Sequence, residues 1–381
     1  MEYAKVLALV EGMNGPTLWR VLQPFTELQR QKEEFGLDIL VEWGIRDDSR
    51  LSQVINHFDA VILPRLHWQK DERSKGDKWF AAFHKAGMAI IYELDDDFFS
   101  EEYVRFMTTV WKMSKEEAEE RRECILYAIT SSDGITTSNH ILATRLMEYT
   151  DKPIKVVGNY IDLLWWEKLR KIGKKQRQIP GLTIGIASGA KDKKDIEQVA
   201  IAWGRIAKRY PKVNFVIQGQ QFPVIDDNVP EERIKRIPWM PLEQYPLGMM
   251  NIDIGCCPLD SNKFNICKTP IKAMEYAAAD AAVVASRVLY PKLLTDGVDG
   301  LLADSANEWE QALSRLIEDY NFRRKITKAL IHKIRREYSL EKNVWRWLDA
   351  WTDIVDNFRQ SQRKHILIPD VRQVAEYGVR L

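Results

Sequence analysis

The residues of this chain that are best suited to bind a ligand lie at the start of a predicted helix in its second half. Thr269 is a favoured helix-capping residue and Pro270 is favoured at the first helical position, so the helix is predicted to begin here. The backbone N–H groups from Ile271 onward would then lack partners and carry the positive end of the helix dipole. Lys268 adds charge beside them. This combination indicates a site for a phosphate group.

Glu275 lies five residues beyond Pro270. This spacing corresponds to roughly 7–8 Å along a helix axis. A diphosphate at the start of the helix would bring an attached ribose close to this carboxylate, which can accept both vicinal hydroxyls. The helix could therefore hold a nucleoside diphosphate by itself. The same residues fit equally well to a capped amphipathic helix with surface lysines and a solvated glutamate.

A second chemical feature is the run of three aspartates at Asp95–Asp97, which follows the predicted strand Met88–Leu94. A carboxylate at the end of a strand can orient or deprotonate a hydroxyl group. The cluster also fits the acidic start of a helix near Phe98, where negative charge is favoured by the dipole. Such a run can also suggest a metal-binding Asp-x-Asp pair, but we expect no metal site here. Lesser candidates for a catalytic role are Arg65, His67 and His84.

Short apolar runs alternate with amphipathic stretches along the whole chain, and this pattern predicts parallel sheets covered by helices. The expected fold class is α/β, with two Rossmann-like αβα domains facing a central cleft, where ligands bind at the carboxyl ends of the strands. Predicted strands are Lys5–Val10, Asp38–Trp43, Ala60–Leu63, Met88–Leu94, Gly134–Thr137, Ile154–Val157, Leu182–Ala187, Val213–Gln218, Arg233–Ile237, Ile252–Cys256 and Ala282–Ala285.

The helical patterns give the expected domain limits. A helix at Thr17–Glu34 follows the first strand, and one at Asp192–Tyr210 should turn Ile196, Val199, Ala200, Trp203 and Ile206 inward. The predicted domains are 1–162, then a basic linker at 163–181, then 182–340. The remaining residues, 341–381, form a closing helix with an apolar face and a tail at 366–381. Val344, Trp347, Leu348, Trp351 and Ile354 make up that face, and Trp345 lies off it.

Composition excludes several classes of protein. The chain has 381 residues and a formal net charge of +1, which argues against a histone-like or polybasic membrane-surface protein. Residues 1–160 carry a net −7 and the remainder +8. The four cysteines form no CxxC pair, so a zinc site and a disulfide framework are not expected. We expect no signal peptide and no membrane span, and hence a cytoplasmic protein.

The run 265–286 reads NICKTPIKAMEYAAADAAVVAS and is followed by Tyr290-Pro291 and DGVDGLL. This pattern resembles the C-terminal half of GT-B fold glycosyltransferases, most closely the large retaining group that uses nucleotide-diphosphate sugars. The resemblance covers about 182–351. It implies a glycosyl transfer with retention, without a bound metal or cofactor.

The resemblance also implies roles for residues. Glu275 would contact the donor ribose, and Cys267 stands where the group usually has the glutamate that contacts the donor sugar. Ser188 replaces a usual arginine in a phosphate-binding loop. Asp95, with Asp96 beside it, stands at the acceptor side of the cleft, where related enzymes often have histidine. The donor-binding set is Gly12, Gly15, Ser188, Gly189, Lys193, Lys194, Cys267, Lys268, Thr269, Pro270, Ile271 and Glu275.

The leading hypothesis is a glycosyltransferase that moves a sugar to an acceptor hydroxyl. The departures at Cys267 and Ser188 keep open a non-catalytic nucleotide-sugar-binding module. The basic residues of 163–181 and the tail keep open a nucleic-acid-modifying transferase. A dehydrogenase is disfavoured because no GxGxxG follows a predicted strand. The expected partner is a nucleotide-sugar donor. The sequence does not identify the donor, the acceptor or the oligomeric state.

Overall fold

Two parallel β-sheets of six strands organise the chain. The computed structural model describes residues 3–31, 39–43, 55–177 and 179–367. The first sheet has the strand order β2-β1-β3-β4-β5-β6, so its topological switch point lies between β1 and β3. Its strands are β1 Val6–Val10, β2 Ile39–Trp43, β3 Ala60–Pro64, β4 Ala89–Leu94, β5 Gly134–Thr137 and β6 Ile154–Val156.

The second sheet has the order β12-β11-β10-β7-β8-β9, and its switch point lies between β7 and β10. Every pair of neighbouring strands in both sheets is parallel. The predicted fold class is therefore confirmed. The strands are β7 Thr183–Ser188, β8 Asn214–Gly219, β9 Ile234–Ile237, β10 Ile254–Cys257, β11 Ala282–Ala285 and β12 Leu301–Leu302.

Most strand residues of the sheet centres are apolar because both faces of each sheet are covered. In β1, Leu7 and Leu9 belong to one core cluster, whereas Val6, Ala8 and Val10 belong to another. Successive side chains of a strand point to opposite faces, so a strand that is buried on both sides has few polar positions, and those it has need partners, as Glu93 of β4 does. The short strand β12, which has only two residues, had no such run to reveal it.

Helices fill the connections between the strands. In the first half they are Gly15–Thr17, which continues through a π-helical stretch at Leu18–Leu22 into Gln23–Arg30, and then Arg73–Lys85, Glu101–Thr109, Lys115–Ser131 and His140–Leu146. In the second half they are Leu163–Lys175, Lys193–Arg209, Pro223–Asp226, Tyr245–Met249, Lys263–Ile266, Ile271–Ala278, Ala306–Glu318, Tyr320–Glu337, Leu340–Asn343 and Trp345–Leu367. Short 3-10 turns lie at Ile55–His57, Lys70–Glu72, Glu231–Arg233 and Tyr290–Lys292.

Both predicted apolar helix faces are confirmed. The five inward residues predicted for Lys193–Arg209 are fully buried. The predicted face of the closing helix is buried as well, and Trp345 remains 38% exposed. This helix packs on the first sheet, where Ile354 contacts Gly134 of β5. Three predictions lie wholly or mainly outside the described residues: the tail at 366–381, Asp38 at the start of its predicted strand, and the last residues of the predicted helix Thr17–Glu34.

The stretch predicted as a basic linker is mostly a helix, Leu163–Lys175. Asp162 caps it by accepting a hydrogen bond from the Trp165 N–H. Its inner side carries the buried Trp166, and Gly173 lies so close to Met250 that a Cβ atom would be 2.5 Å from the Met250 Cγ. The lysines and arginines on its outer side obscure this narrow inner face in the sequence, so the helix was not predicted, and its role as a linker stays a prediction.

Arg20 is the most heavily hydrogen-bonded buried charge of the first half. Its Nε donates to Glu93 Oε1 at 2.8 Å, and its Nη1 donates to the carbonyl oxygen of Val157 and to Asn159 Oδ1. The guanidinium also lies 5.2 Å from the centre of the Trp347 ring. Burial raises the pKa of Glu93, and the charge of Arg20 opposes that effect. Four parts of the chain therefore meet at the Arg20 side chain: the helix after β1, the strand β4, the segment after β6 and the closing helix.

Replacing Arg20 by methionine is expected to lower the free energy of unfolding by about 3–5 kcal/mol, because Glu93 would keep its burial and lose its counter-charge. Urea denaturation measures the change. Arg30→Met is the matched control: Arg30 pairs with Glu27 but its side chain is 51% exposed, so the loss should stay below about 1 kcal/mol. Equal losses in the two variants would contradict the importance given to the buried pair.

Candidate active site

The carboxyl end of β4 carries a compact ion-pair cluster. Arg65, which follows β3, places its Nη2 2.5 Å from Asp95 Oδ1 and 2.6 Å from Asp96 Oδ2. Arg65 adopts a left-handed backbone conformation, with φ of 54°, and its N–H donates to the Glu93 carbonyl oxygen. Burial raises the pKa of Asp95, while the charge of Arg65 lowers it. The two predicted catalytic carboxylates thus share one arginine at the edge of the sheet.

The third aspartate of the run points elsewhere. Asp97 is buried, and its carboxylate accepts hydrogen bonds from the Phe99 N–H at 3.0 Å and from Arg145 Nε at 3.1 Å. The three aspartates therefore do not converge. Within the described ranges, no three His, Cys, Asp or Glu side chains come together as a metal-binding group.

The two candidate histidines lie in different places. The Nδ1 of His67 is 3.0 Å from the carbonyl oxygen of Arg65, beside the ion-pair cluster. His84 pairs with Asp133 at 2.9 Å, and Asp133 lies just before β5, at the amino end of the strands. His84 is therefore remote from the predicted acceptor site.

The Gly12–Gly15 turn follows β1 at the carboxyl edge of the first sheet. Asn14 caps the next helix by accepting a hydrogen bond from the Thr17 N–H at 2.9 Å. A Cβ atom added to Gly12 or Gly15 would meet no other atom within 4 Å. The protein itself thus leaves open space beside both glycines.

The predicted phosphate-binding helix begins one residue later than expected. Pro270, not Thr269, is the capping residue of Ile271–Ala278, and it makes no side-chain cap. The hydroxyl of Thr269 instead accepts a hydrogen bond from Asn159 Nδ2 at 2.8 Å. The N–H of Ala273 donates to the Pro270 carbonyl oxygen, whereas those of Ile271 and Lys272 have no partner in the described part of the chain. These two N–H groups are therefore free for an anion.

Glu275 is buried in a polar cluster on the same helix. Its Oε2 lies 2.5 Å from Lys272 Nζ and accepts a hydrogen bond from the Tyr245 hydroxyl at 3.1 Å. Burial, together with the charge of Glu275, raises the pKa of Tyr245 well above its ordinary value. No described residue is hydrogen-bonded to the other oxygen, Oε1. The charge of Lys272 is therefore neutralised by Glu275, whereas the Oε1 atom of Glu275 remains available to a ligand.

Lys191 is the cation that the sequence analysis overlooked. The predicted residues Lys193 and Lys194 are both exposed at the start of their helix. Lys191 points inward instead, and its Nζ donates to the carbonyl oxygen of Pro258 just after β10. Burial, with smaller contributions from the charges of Lys268 and Lys272, lowers the pKa of Lys191 to about 8, although the Asp195 carboxylate opposes this shift. Its position three residues after β7 was the available signal.

The loop after β7 is shaped by close backbone contacts. Ser188 is buried and its hydroxyl donates to the carbonyl oxygen of Gly189. Gly219, at the end of β8, has φ of 88°, and a Cβ atom there would lie 2.5 Å from the Ser188 carbonyl oxygen, so only glycine fits. Trp239 stands beside Gly189 and Gly219 and is 64% exposed. An uncovered indole therefore adjoins the predicted phosphate loop.

Cys267 lies away from open solvent. It is fully buried and belongs, with Phe264, to the core cluster of the first sheet. Burial raises the pKa of its thiol to about 12. Lys268, the next residue, holds its Nζ 4.4 Å from the ring centre of Phe264 and 5.7 Å from that of Phe106. The segment before the phosphate-binding helix is thus packed against the first half of the chain.

Side-chain hydrogen bonds bring the two sheet edges together. The Ser138 hydroxyl donates to the carbonyl oxygen of Asp95 at 3.3 Å, and the neighbouring Asn139 donates through Nδ2 to the carbonyl oxygen of Cys267. Asn159 makes the second link, to Thr269. A wall able to bind an anion and a wall bearing carboxylates therefore border one cleft, an arrangement suited to transferring a group from a phosphate leaving group to a hydroxyl.

The second half of the chain is similar to a known protein family. A family model described as Glycosyl transferases group 1 matches residues 182–319. No curated protein sequence matches the chain. No helix in the described ranges has the length and apolar character needed to cross a membrane.

Several solved structures share the fold over nearly the whole chain. HepE from Anabaena, in a complex with UDP and glucose, has a TM-score of 0.61 at 14% identity, over 91% of this chain and 99% of its own. Sucrose-phosphate synthase from Thermosynechococcus elongatus has a TM-score of 0.60 at 13% identity, over 95% and 99%. A glycosyltransferase from Rickettsia africae has a TM-score of 0.60 at 11% identity, over 94% and 100%.

Arg65→Gln is expected to destabilise the protein by about 2 kcal/mol at neutral pH, because two neighbouring carboxylates lose their shared counter-charge. Without Arg65 the raised pKa of Asp95 rises further, so the deficit should grow as pH rises through that pKa and shrink near about pH 4. Urea denaturation at both pH values tests this. Arg122→Gln, which breaks a more exposed pair with Glu119, should show no such pH dependence; a deficit in Arg65→Gln that did not vary with pH would contradict the prediction.

Proposed function

We propose that this chain, a member of the glycosyl transferases group 1 family through its residues 182–319, transfers a sugar from a nucleoside-diphosphate sugar to an acceptor hydroxyl. One observation carries the proposal. An uncapped helix start, with Lys191 and Lys268 beside it, lies across one cleft from the Asp95 carboxylate. HepE, which shares the fold, was solved in a complex with UDP-glucose.

The donor diphosphate would lie at the start of Ile271–Ala278. The free N–H groups and the helix dipole attract it, and Lys191 supplies a positive charge that has no carboxylate in hydrogen-bonding contact. Lys268 adds a second charge from its position against the two phenylalanine rings. Gly12 and Gly15 leave space for the diphosphate on the opposite wall. These groups stabilise the negative charge that grows on the diphosphate as the bond to the sugar breaks.

The nucleoside would extend along the same helix. Glu275 Oε1 can accept a hydrogen bond from a ribose hydroxyl, while Lys272 and Tyr245 hold the carboxylate through Oε2. The exposed face of Trp239, beside Gly189, offers a surface on which a base can stack. The donor would thus contact the segments that follow three strands of the second sheet, β7, β9 and β10.

The acceptor would bind on the first sheet. For the retention that the resemblance implies, its hydroxyl oxygen attacks the anomeric carbon on the face from which the diphosphate leaves. The bond from that carbon to the diphosphate oxygen breaks, and the hydroxyl proton passes to Asp95. The raised pKa of Asp95 brings this carboxylate closer to the range in which a base works well. Arg65, which also pairs with Asp96, holds it in place. The products are the glycosylated acceptor and a nucleoside diphosphate.

A non-catalytic nucleotide-sugar-binding module is the second candidate, and the position of Cys267 favours it. In the group that this sequence resembles, a glutamate there contacts the donor sugar, whereas Cys267 is buried against the first sheet. A screen of nucleotide sugars, monitored by release of nucleoside diphosphate with and without candidate acceptors, separates the two. Binding of a donor by calorimetry without any release or transfer would overturn the enzyme proposal.

Glu275→Gln is expected to weaken UDP-sugar binding by about 10- to 100-fold, because a hydrogen bond from ribose to a charged oxygen becomes one to a neutral amide. Isothermal titration measures the affinity, and thermal unfolding shows whether loss of the Lys272 pair has disturbed the fold. Glu310→Gln, which removes a surface pair with Arg205 on a different helix, should leave the affinity unchanged. Unaltered affinity in a folded Glu275→Gln protein would contradict this role.

The affinity for UDP is expected to fall as pH rises above about 8, the pKa of Lys191. UDP is already fully ionised there, since a second phosphate pKa is about 6, so the decline would report neutralisation of the lysine, by up to about tenfold per pH unit. Lys191→Arg keeps its charge over this range and should show a flat profile between pH about 7.5 and 9.5. Identical slopes in the two proteins would rule out Lys191 as the titrating group.

A further inference from the structure

Two asparagine side chains cross the cleft from the first sheet to the segment before the phosphate-binding helix. Asn139 follows β5 and donates through Nδ2 to the carbonyl oxygen of Cys267. Asn159 follows β6 and donates through Nδ2 to Thr269 Oγ1 at 2.8 Å. Thr269 adjoins Pro270, the capping residue of the helix. The helix start is therefore held from the opposite half of the chain.

The orientation of both amides is fixed on their own side of the cleft. The Asn159 Oδ1 accepts a hydrogen bond from Arg20 Nη1 at 2.9 Å, and the Asn139 Oδ1 accepts one from the Leu142 N–H at 3.0 Å. An amide that binds a donor through its oxygen must present its N–H groups elsewhere. Here both point at the second half.

The link through Asn159 leads to the proposed base. Arg20 binds Glu93 through Nε, and Glu93 lies on β4 two residues before Asp95. Thr136 of β5 donates to the second oxygen of Glu93 at 2.6 Å. A continuous series of hydrogen bonds, buried except for the partly buried last one, thus runs from the strand that precedes Asp95, through Arg20 and Asn159, to the residue beside the helix start.

We propose that Asn159 is a positioning residue, which holds the diphosphate-binding helix start in register with Asp95 through Arg20. This inference rests on the proposed function. Transfer requires the acceptor oxygen and the anomeric carbon to approach within a few tenths of an ångström of the productive geometry. A side chain that ties the donor wall to the acceptor wall controls that approach, although it touches neither substrate.

The test compares Asn159→Ala with wild type in donor turnover and in UDP binding. We expect kcat to fall by about 10- to 100-fold, because a misplacement of about 1 Å has effects of this size. UDP affinity should change by no more than about threefold, since UDP binds chiefly to the second half, so the loss falls on kcat. The double variant Asn159→Ala/Thr269→Val should be no slower than the slower single variant, because both break the same link.

Asn343→Ala is the matched control. Asn343 is buried to the same degree as Asn159 (7% against 8%), and its amide bonds to the carbonyl oxygens of Glu337 and Ser339 near the closing helix. It should lose stability without losing kcat. A fall in kcat of equal size in both variants, or additive losses in the double variant, would overturn the positioning role.

Hydrogen exchange gives a readout that does not depend on catalysis. In Asn159→Ala the amides of 263–273 should exchange faster than in wild type, whereas those of β7 should not change. If wild type turned over no donor but this exchange difference appeared, the proposed function would fail and the structural link would stand. If the enzyme is active and Asn159→Ala changes neither the exchange nor kcat, the positioning role of Asn159 is overturned and the proposed function stands.

Discussion

The structure depends on the need to compensate the buried charge of Arg20. A guanidinium removed from water must find both a counter-charge and acceptors for its N–H groups. Arg20 finds them in Glu93, in two carbonyl oxygens of the chain leaving the first sheet, and in Asn159. Glu93 lies on β4 and the other partners lie in the segment after β6. Compensating one charge therefore fixes the helix after β1, the middle of the sheet and the passage to the second half in a single arrangement.

The sequence predicted the parts of this fold that follow from local pattern. Most strands could be predicted because a strand that is covered on both faces needs a run of apolar residues. The inner face of the helix Lys193–Arg209 could be predicted because its apolar residues recur with helical spacing. The parts that failed depend on tertiary partners. Thr269 has the chemistry of a cap, but Asn159 engages its hydroxyl. Lys191 and Lys193 are two residues apart, and the contact of Lys191 with the Pro258 carbonyl oxygen, which comes from a distant part of the chain, is made only in the folded protein.

In the folded protein, the net charge of each half does not determine the charge that each half presents at the cleft. The excess of positive charge in the second half is not equivalent to free positive charge at the cleft, since Lys272 is paired with Glu275. Lys191 and Lys268 are held by a carbonyl oxygen and by aromatic rings, which position an ammonium without cancelling it. On the opposite wall Arg65 compensates two carboxylates at once. Local pairing therefore matters more than net charge in determining what each wall attracts.

Phe264 and Cys267 complete the apolar core of the first sheet although they come from the second half. Any motion that separates the two halves would expose these side chains to water. Exposure of apolar surface increases heat capacity, and its free energy varies with temperature along a curve rather than a line. The balance between open and closed forms of the cleft should therefore respond to temperature as a small unfolding reaction does, with the closed form losing its advantage on cooling as well as on strong heating.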